Sequence, residues 1–210
     1  LHSAVQAAAP DRPARIALAS SHQNGMLTIL DGLGEIQSST PLAAPPQTAP
    51  VFLGDEAGSD ELVTVSANGT VEHWDVDEGQ RLAVHDVADL ASAQGLVAVS
   101  EPFGALRYVA ATPDAVTGFD EDFELLWRNS EARPRSAPVL DEAEDMLRIL
   151  TSTDDGVAAF DETGELLWRE RRAALPAAGP PVALPRESQL TPLYAYTSLD
   201  HFLRLIAPQQ

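Results

Sequence analysis

The 210-residue sequence has no cysteine, no lysine and only two methionines, and aromatic residues make up 6% of it. Without cysteine there are no disulfides, no thiol catalysis and no thiolate zinc site, while the redox compartment stays open. Without lysine all 13 basic residues are arginine, and against 32 acidic residues they leave a formal net charge of −19. A field of that sign repels phosphate backbones and anionic lipid surfaces, which argues against nucleic acid as a partner. The same balance suits a GC-rich genome or a salty environment. No run reaches the roughly 18 apolar residues of a membrane-spanning helix, so no such insertion is expected. Also missing are a Gly-rich phosphate loop and a Gly-x-Ser-x-Gly elbow. No stretch carries helical periodicity, which argues against alternating strands and helices. Leu1-His2-Ser3 includes no initiator Met, from which an upstream leader or longer region is expected.

What is present is a repeat. Residues Ala159 to Trp168 read Ala-Phe-Asp-Glu-Thr-Gly-Glu-Leu-Leu-Trp, and Gly118 to Trp127 read Gly-Phe-Asp-Glu-Asp-Phe-Glu-Leu-Leu-Trp. Each is legible as an apolar strand, a tight turn and a returning strand, because Asp can bond backbone N–H groups two residues on and Gly accepts positive φ. Weaker copies begin at Ile29 and His73, so the key aspartates are Asp31, Asp75, Asp120 and Asp161, spaced by 44, 45 and 41 residues. Upstream of each lies a second small turn (Asn24-Gly25, Asn68-Gly69, Asp114-Ala115, Asp155-Gly156), and before that a strand-like run (Ile16 to Ala19, Leu62 to Val65, Tyr108 to Ala111, Leu147 to Leu150). Further upstream sits Ala-Pro-Val or a relative of it: Ser3-Ala4-Val5, Ala49-Pro50-Val51, Leu96-Val97-Ala98, Ala137-Pro138-Val139 and Pro181-Val182-Ala183. A fifth copy runs through Leu193 to Ser198 and Phe202 to Ala207. Up to four strands per unit at this period predict an all-β fold, a β-propeller of about five four-stranded blades in a single domain over residues 1–210. The repeats fall at about 1–44, 45–89, 90–134, 135–176 and 177–210, with irregular connections near 41–50, 132–136 and 173–181. The last unit has three strands. Either Leu1 to Gln6 supplies its missing outer strand, or the chain is part of a larger ring of seven or eight blades.

The order of strand, Asp/Asn-Gly turn, apolar strand and Phe-Asp-x-Thr-Gly-Glu-x-x-Trp resembles the quinoprotein-type (PQQ-like) propeller repeat, the kind also found in BamB-like outer-membrane assembly lipoproteins. That resemblance implies that Trp127 and Trp168 are docking residues packing between adjacent blades. Ser38 and Ala83 stand at the matching places of the first two units. A rival local match, Asn68 to Gly79 with its Trp74-Asp75 pair, is similar to the end of a WD40 repeat, but only one unit has it.

Candidate chemistry is sparse. The acidic turns Asp75/Asp77/Glu78, Asp120/Glu121/Asp122/Glu124, Asp141/Glu142/Glu144/Asp145 and Asp154/Asp155 offer oxygen atoms to calcium, yet none has EF-hand spacing, and turn carboxylates are usually solvated. Asp11-Arg12-Pro13 is too slight a match to claim the calcium-and-phosphate chemistry of propeller phytases. The histidines at 2, 22, 73, 85 and 201 show no metal-site spacing. Asn68-Gly69-Thr70 matches a glycosylation sequon but reads first as an Asn-Gly turn. Arg169, Arg171 and Arg172 beside Glu170 form a small basic patch, read as an ion-paired surface.

No catalytic residue is assigned, and Asp31, Asp75, Asp120, Asp161, Trp127 and Trp168 are singled out as structural repeat positions. The function expected is a non-enzymatic binding or scaffold module that presents loops or a central funnel to a protein partner. By the resemblance it is periplasmic or extracellular, and for want of a catalytic constellation no cofactor is expected. The alternatives are a propeller enzyme using pyrroloquinoline quinone (PQQ) or calcium, and a sensory or adhesive ectodomain.

Overall fold

The computed structural model describes residues 2–6, 14–20, 25–53, 61–143, 146–171, 179–184, 193–197, 199 and 203–207. Asp11-Arg12-Pro13, His22, Asn24, Glu144, Asp145, Arg172, Asp200 and His201 lie outside them. The chain divides into two compact units, Leu1–Glu101 and Pro102–Gln210.

The described strands form five antiparallel sheets, the architecture of a β-propeller. In the first unit, sheet 1 contains β1 (His2–Gln6), β2 (Arg15–Ser20), β3 (Met26–Asp31) and β4 (Ile36–Pro41). Sheet 2 contains β5 (Val51–Leu53), β6 (Glu61–Val65), β7 (Thr70–Asp75) and β8 (Gln80–Asp86), followed by a short 3-10 turn at Ala88–Leu90. Sheet 3 contains β9 (Gly95–Phe103), which begins before the unit boundary, and then β10 (Leu106–Ala111), β11 (Val116–Phe119) and β12 (Leu125–Asn129). Sheet 4 contains β13 (Val139–Ala143), β14 (Met146–Thr153), β15 (Gly156–Phe160) and β16 (Leu166–Arg171). Sheet 5 has β17 (Val182–Ala183), β18 (Tyr194–Thr197) and β19 (Leu203–Ile206). Each sheet runs in chain order, as hairpin-linked strands do. β1 pairs with β2 from His2↔Ala19 to Gln6↔Arg15, so it is the inner strand of the first sheet. That answers one alternative left open by the sequence, in which the same residues completed the fifth.

Side-chain size follows position in the sheet. Every residue of β11 (Val-Thr-Gly-Phe) and β15 (Gly-Val-Ala-Ala-Phe) is buried. The outermost strands β4, β8, β12 and β16 are half-exposed or exposed and carry polar residues. The apolar core lies between sheets. Ala17, Ala19, Leu27 and Ile29 of sheet 1 pack against Leu62 and Trp74 of sheet 2, with Trp74 2% exposed and its Nε1 donating to Thr64 Oγ1 at 3.1 Å. Leu150, Val157 and Ala159 of sheet 4 meet Tyr194, Tyr196 and Ile206 of sheet 5. Burying one such large side chain contributes about 1.5–3 kcal/mol.

The connections between sheets are built alike. Ala44-Pro45-Pro46-Gln47-Thr48-Ala49-Pro50-Val51 and Ala132-Arg133-Pro134-Arg135-Ser136-Ala137-Pro138-Val139 each lead into an inner strand. Gln47 N donates to Val65 O at 2.7 Å, and Arg135 N to Ser152 O at 2.8 Å. These bonds pin each connection to the end of the next sheet's second strand. In the first unit the fully buried Glu72 carboxylate adds a clasp, accepting Ala43 N at 3.0 Å and Arg81 Nη1 at 2.7 Å. A buried charge needs such partners to offset its desolvation.

Candidate functional site

The repeat aspartates build the outer hairpin turns. Asp31 Oδ1 accepts the N–H of Leu33 and of Glu35, both at 2.9 Å. Asp120 Oδ1 takes those of Asp122 (3.0 Å) and Glu124 (2.8 Å), and Asp161 Oδ1 those of Thr163 (2.9 Å) and Glu165 (2.8 Å). The sheet 2 turn is one residue longer, and there Asp75 Oδ1 accepts Glu78 N at 2.8 Å. Each Oδ1 therefore has a turn-building task. Just before every turn the register slips by one residue, between Ile29/Leu30, His73/Trp74, Gly118/Phe119 and Ala159/Phe160. Such a bulge bends the strand and re-aims its side chains.

Gly34, Gly79 and Gly164 occupy the turn position with positive φ, at 85°, 61° and 80°, but sheet 3 places Phe123 there at 61°. Phe123 is buried against Tyr108, with stacked rings 4.2 Å apart, and lies 6.1 Å from Phe119. The alignment of the two repeats puts Phe123 opposite Gly164, but it does not show that Phe123 keeps the glycine conformation, which a bulky residue rarely adopts.

The cross-strand register puts Ser38, Ala83, Trp127 and Trp168 opposite Ile29, His73, Gly118 and Ala159, the same place in four sheets. Trp127 lies over Gly118 and reaches sheet 4, where its Nε1 donates to Glu162 O at 2.9 Å. A Cβ built on Gly118 or Gly164 would come within 2.3 or 2.4 Å of its indole, so both positions admit only glycine. Asn129 Nδ2 adds a bond to Gly164 O at 2.8 Å. Between sheets 1 and 2 a reduced version recurs: Thr40 Oγ1 donates to Gly79 O at 3.3 Å, and a Cβ on Gly79 would meet Ser38 Cβ at 2.8 Å. Trp168 is half-buried and tilts against Tyr194 of sheet 5 at 5.6 Å.

Two open grooves flank these junctions. One, of about 480 Å³, is lined by Phe103, Leu106, Leu126, Trp127, Glu162 and Thr163. The other, of about 550 Å³, lies between sheets 1 and 2 beside Thr40, Leu42, Gly79 and Arg81.

The remaining candidates are dispersed. Arg169 and Arg171 converge on Asp155, with Arg169 Nη2 at 2.7 Å and Arg171 Nε at 3.4 Å. Burial works to raise the Asp155 pKa, but hydrogen bonds from Arg169 and Thr153 and the charges of Arg169 and Arg171 together bring it below the ordinary value. Arg135 pairs with Asp154. Asp141 accepts a bond from Tyr194 Oη at 2.7 Å and one from Arg148 at 3.3 Å. Asn68 is exposed, its Oδ1 accepting Thr70 N at 3.2 Å in a turn with Gly69 at φ 85°. His73 and His85 lie 5.5 Å apart, and burial, then the neighbouring His85, lowers the His73 pKa. Among the described residues no three of His, Asp or Glu gather as a metal site. No described helix is long and apolar enough to cross a membrane.

Residues 67–198 match the family model described as outer membrane protein assembly factor BamB. The chain belongs to this family. Among solved structures it is similar to BamB from Moraxella catarrhalis, with 17% identity and a TM-score of 0.65 over 99% of this chain and 60% of that one. It is also similar to BBS1N in a complex with ARL6DN, with 13% identity and a TM-score of 0.71 over 99% of this chain and 65% of that one. Likeness at such identities is one of fold. The chain spans about 60–65% of the length of these structures. A search of curated proteins finds no match. Membership of the BamB family selects the quinoprotein-type repeat over the WD40-like one, and Trp74 is accordingly a core residue between sheets 1 and 2.

Proposed function

We propose that this BamB-family chain is a non-enzymatic binding module that presents its hairpin turns and inter-sheet grooves to a protein partner in an extracytoplasmic compartment. The observation that carries the reading is the family match over residues 67–198, since the family is described as an assembly factor. Two further points support it. One structural neighbour was solved in a complex with another protein. The −19 net charge favours basic partners and speeds their encounter.

Native mass spectrometry of the purified chain, with and without calcium and PQQ, tests the non-enzymatic part. The expected spectrum shows the bare chain mass under every condition. Stoichiometric retention of either addition would replace this reading with a propeller enzyme. Location is tested separately by fusing the native gene product to alkaline phosphatase, which is active only outside the cytoplasm. Activity is expected, and its absence at normal expression would contradict the compartment.

A further inference from the structure

The junction between sheets 3 and 4 differs from the one between sheets 1 and 2 in a way that opens a recognition site. Ile16 pairs with Leu30 and Tyr108 with Phe119, each partner directly following its sheet's bulge. Arg15 and Arg107, one residue earlier, therefore hold the same place in their sheets. Likewise Asp77 precedes Gly79 by two residues, as Glu162 precedes Gly164. In the first junction the buried Arg15 closes onto Asp77 as an ion pair. In the second that bridge is not made: among the described residues no ion pair joins Arg107 to Glu162, and the Glu162 carboxylate accepts no hydrogen bond. The Glu162 carbonyl, by contrast, is occupied by Trp127 Nε1.

The space beside this unmade bridge is the 480 Å³ groove. Its apolar lining comes from Phe103, Leu106, Leu126 and the solvent-facing part of Trp127, with Glu162 and Thr163 at its rim. Leu126 is 42% exposed and the adjoining Leu125 49%, an apolar stretch on the outer strand β12. The turn leading into β12 carries exposed Glu121, Asp122 and Glu124. An apolar seat with the Glu162 carboxylate at its edge suits an occupant with an apolar side chain next to a cation.

We infer that this groove seats a segment of the partner protein in which an arginine or lysine adjoins an apolar residue. The apolar side chain packs on Phe103, Leu126 and Trp127, and the cation pairs with the Glu162 carboxylate in the role that Arg15 plays for Asp77. A second copy of this chain is a poor occupant, because two surfaces of charge −19 repel each other. The inference rests on the protein-binding reading and names the chemistry of the partner.

The test uses the whole chain and short fluorescent peptides of alternating leucine and arginine, with alternating leucine and glutamate as the charge-reversed probe, read by anisotropy at physiological ionic strength. Wild type and the control Glu78→Gln, an exposed change in the sheet 2 turn, are expected to bind the Leu/Arg peptide equally. Glu162→Gln should weaken it on the order of tenfold, the scale of one charged hydrogen bond. Leu126→Arg, at an exposed position that the fold tolerates, should abolish it, with thermal midpoints of all variants unchanged. Equal binding by all four proteins, equal binding of the Leu/Glu peptide, or no binding by wild type would overturn the groove assignment. None of these results touches the protein-binding reading, which is tested with the wild-type chain and whole partner proteins.

Discussion

Phe123 sets two residue-scale effects against each other. Its φ of 61° puts a non-glycine residue in the left-handed region, which costs about 1–2 kcal/mol. Its ring is 5% exposed and stacked on Tyr108, and truncating such a ring costs about 3–5 kcal/mol. Burial wins. Phe123→Gly should relieve the backbone yet destabilise the protein by about 2 kcal/mol in urea unfolding; a stabilised variant would show that the ring contributes little. His73 supplies a pH dependence. Its pKa is lowered from 6.5 by burial and then by His85, so the unfolded chain binds this proton more readily than the folded one. The associated stability is complete above pH 6.5 and is lost as pH falls below it. Thermal midpoints measured from pH 7.5 to 5 should fall more steeply for the wild type than for His73→Gln, and parallel curves would contradict the assignment.

At the scale of elements, the hairpin turns separate a backbone requirement from a docking requirement. Gly34 and Gly164 share positive φ, 85° and 80°, but a Cβ on Gly34 meets nothing within 4 Å, whereas one on Gly164 comes within 2.4 Å of the Trp127 indole. Gly34→Ala should cost about 1 kcal/mol, the left-handed backbone term alone. Gly164→Ala should cost about 2 kcal/mol more, because overpacking against a fixed ring is added. Chemical denaturation of the two variants side by side checks the difference, and equal losses would mean that Trp127 does not hold the two sheets together. Much of this level was legible in the sequence. Asp31, Asp75, Asp120 and Asp161 announced their turns because an aspartate acts on N–H groups only two to four residues away. What Trp127 touches was less legible, because its partners Glu162 and Gly164 are 35 or more residues distant and one of them is a carbonyl that any residue could provide. The repeat alignment puts Phe123 opposite Gly164 but is silent on its backbone conformation and packing, and the Arg15–Asp77 pair across 62 residues left no local pattern at all.

For the whole molecule, charge is the dominant property. With 32 acidic residues against 13 arginines, self-repulsion opposes the compact state, and salt screens it over a Debye length of about 10 Å at 0.1 M. The thermal midpoint should therefore rise with sodium chloride from low to moderate concentration. A fall would show that the ion pairs Arg15–Asp77, Arg81–Glu72 and Arg169–Asp155 outweigh the repulsion. The five-sheet fold was legible because hairpin-linked strands repeat their register, whereas function was not, since turn and docking chemistry accounts for most of the repeated residues. The property on which the proposed function depends is binding of a protein partner. Its most direct test is sedimentation of the purified chain mixed with each of the outer-membrane-protein assembly factors encoded in its own genome. A stable complex of summed mass with at least one of them at micromolar concentration, weakened by added salt, is expected; sedimentation at the mass of the chain alone in every mixture would rule out such binding.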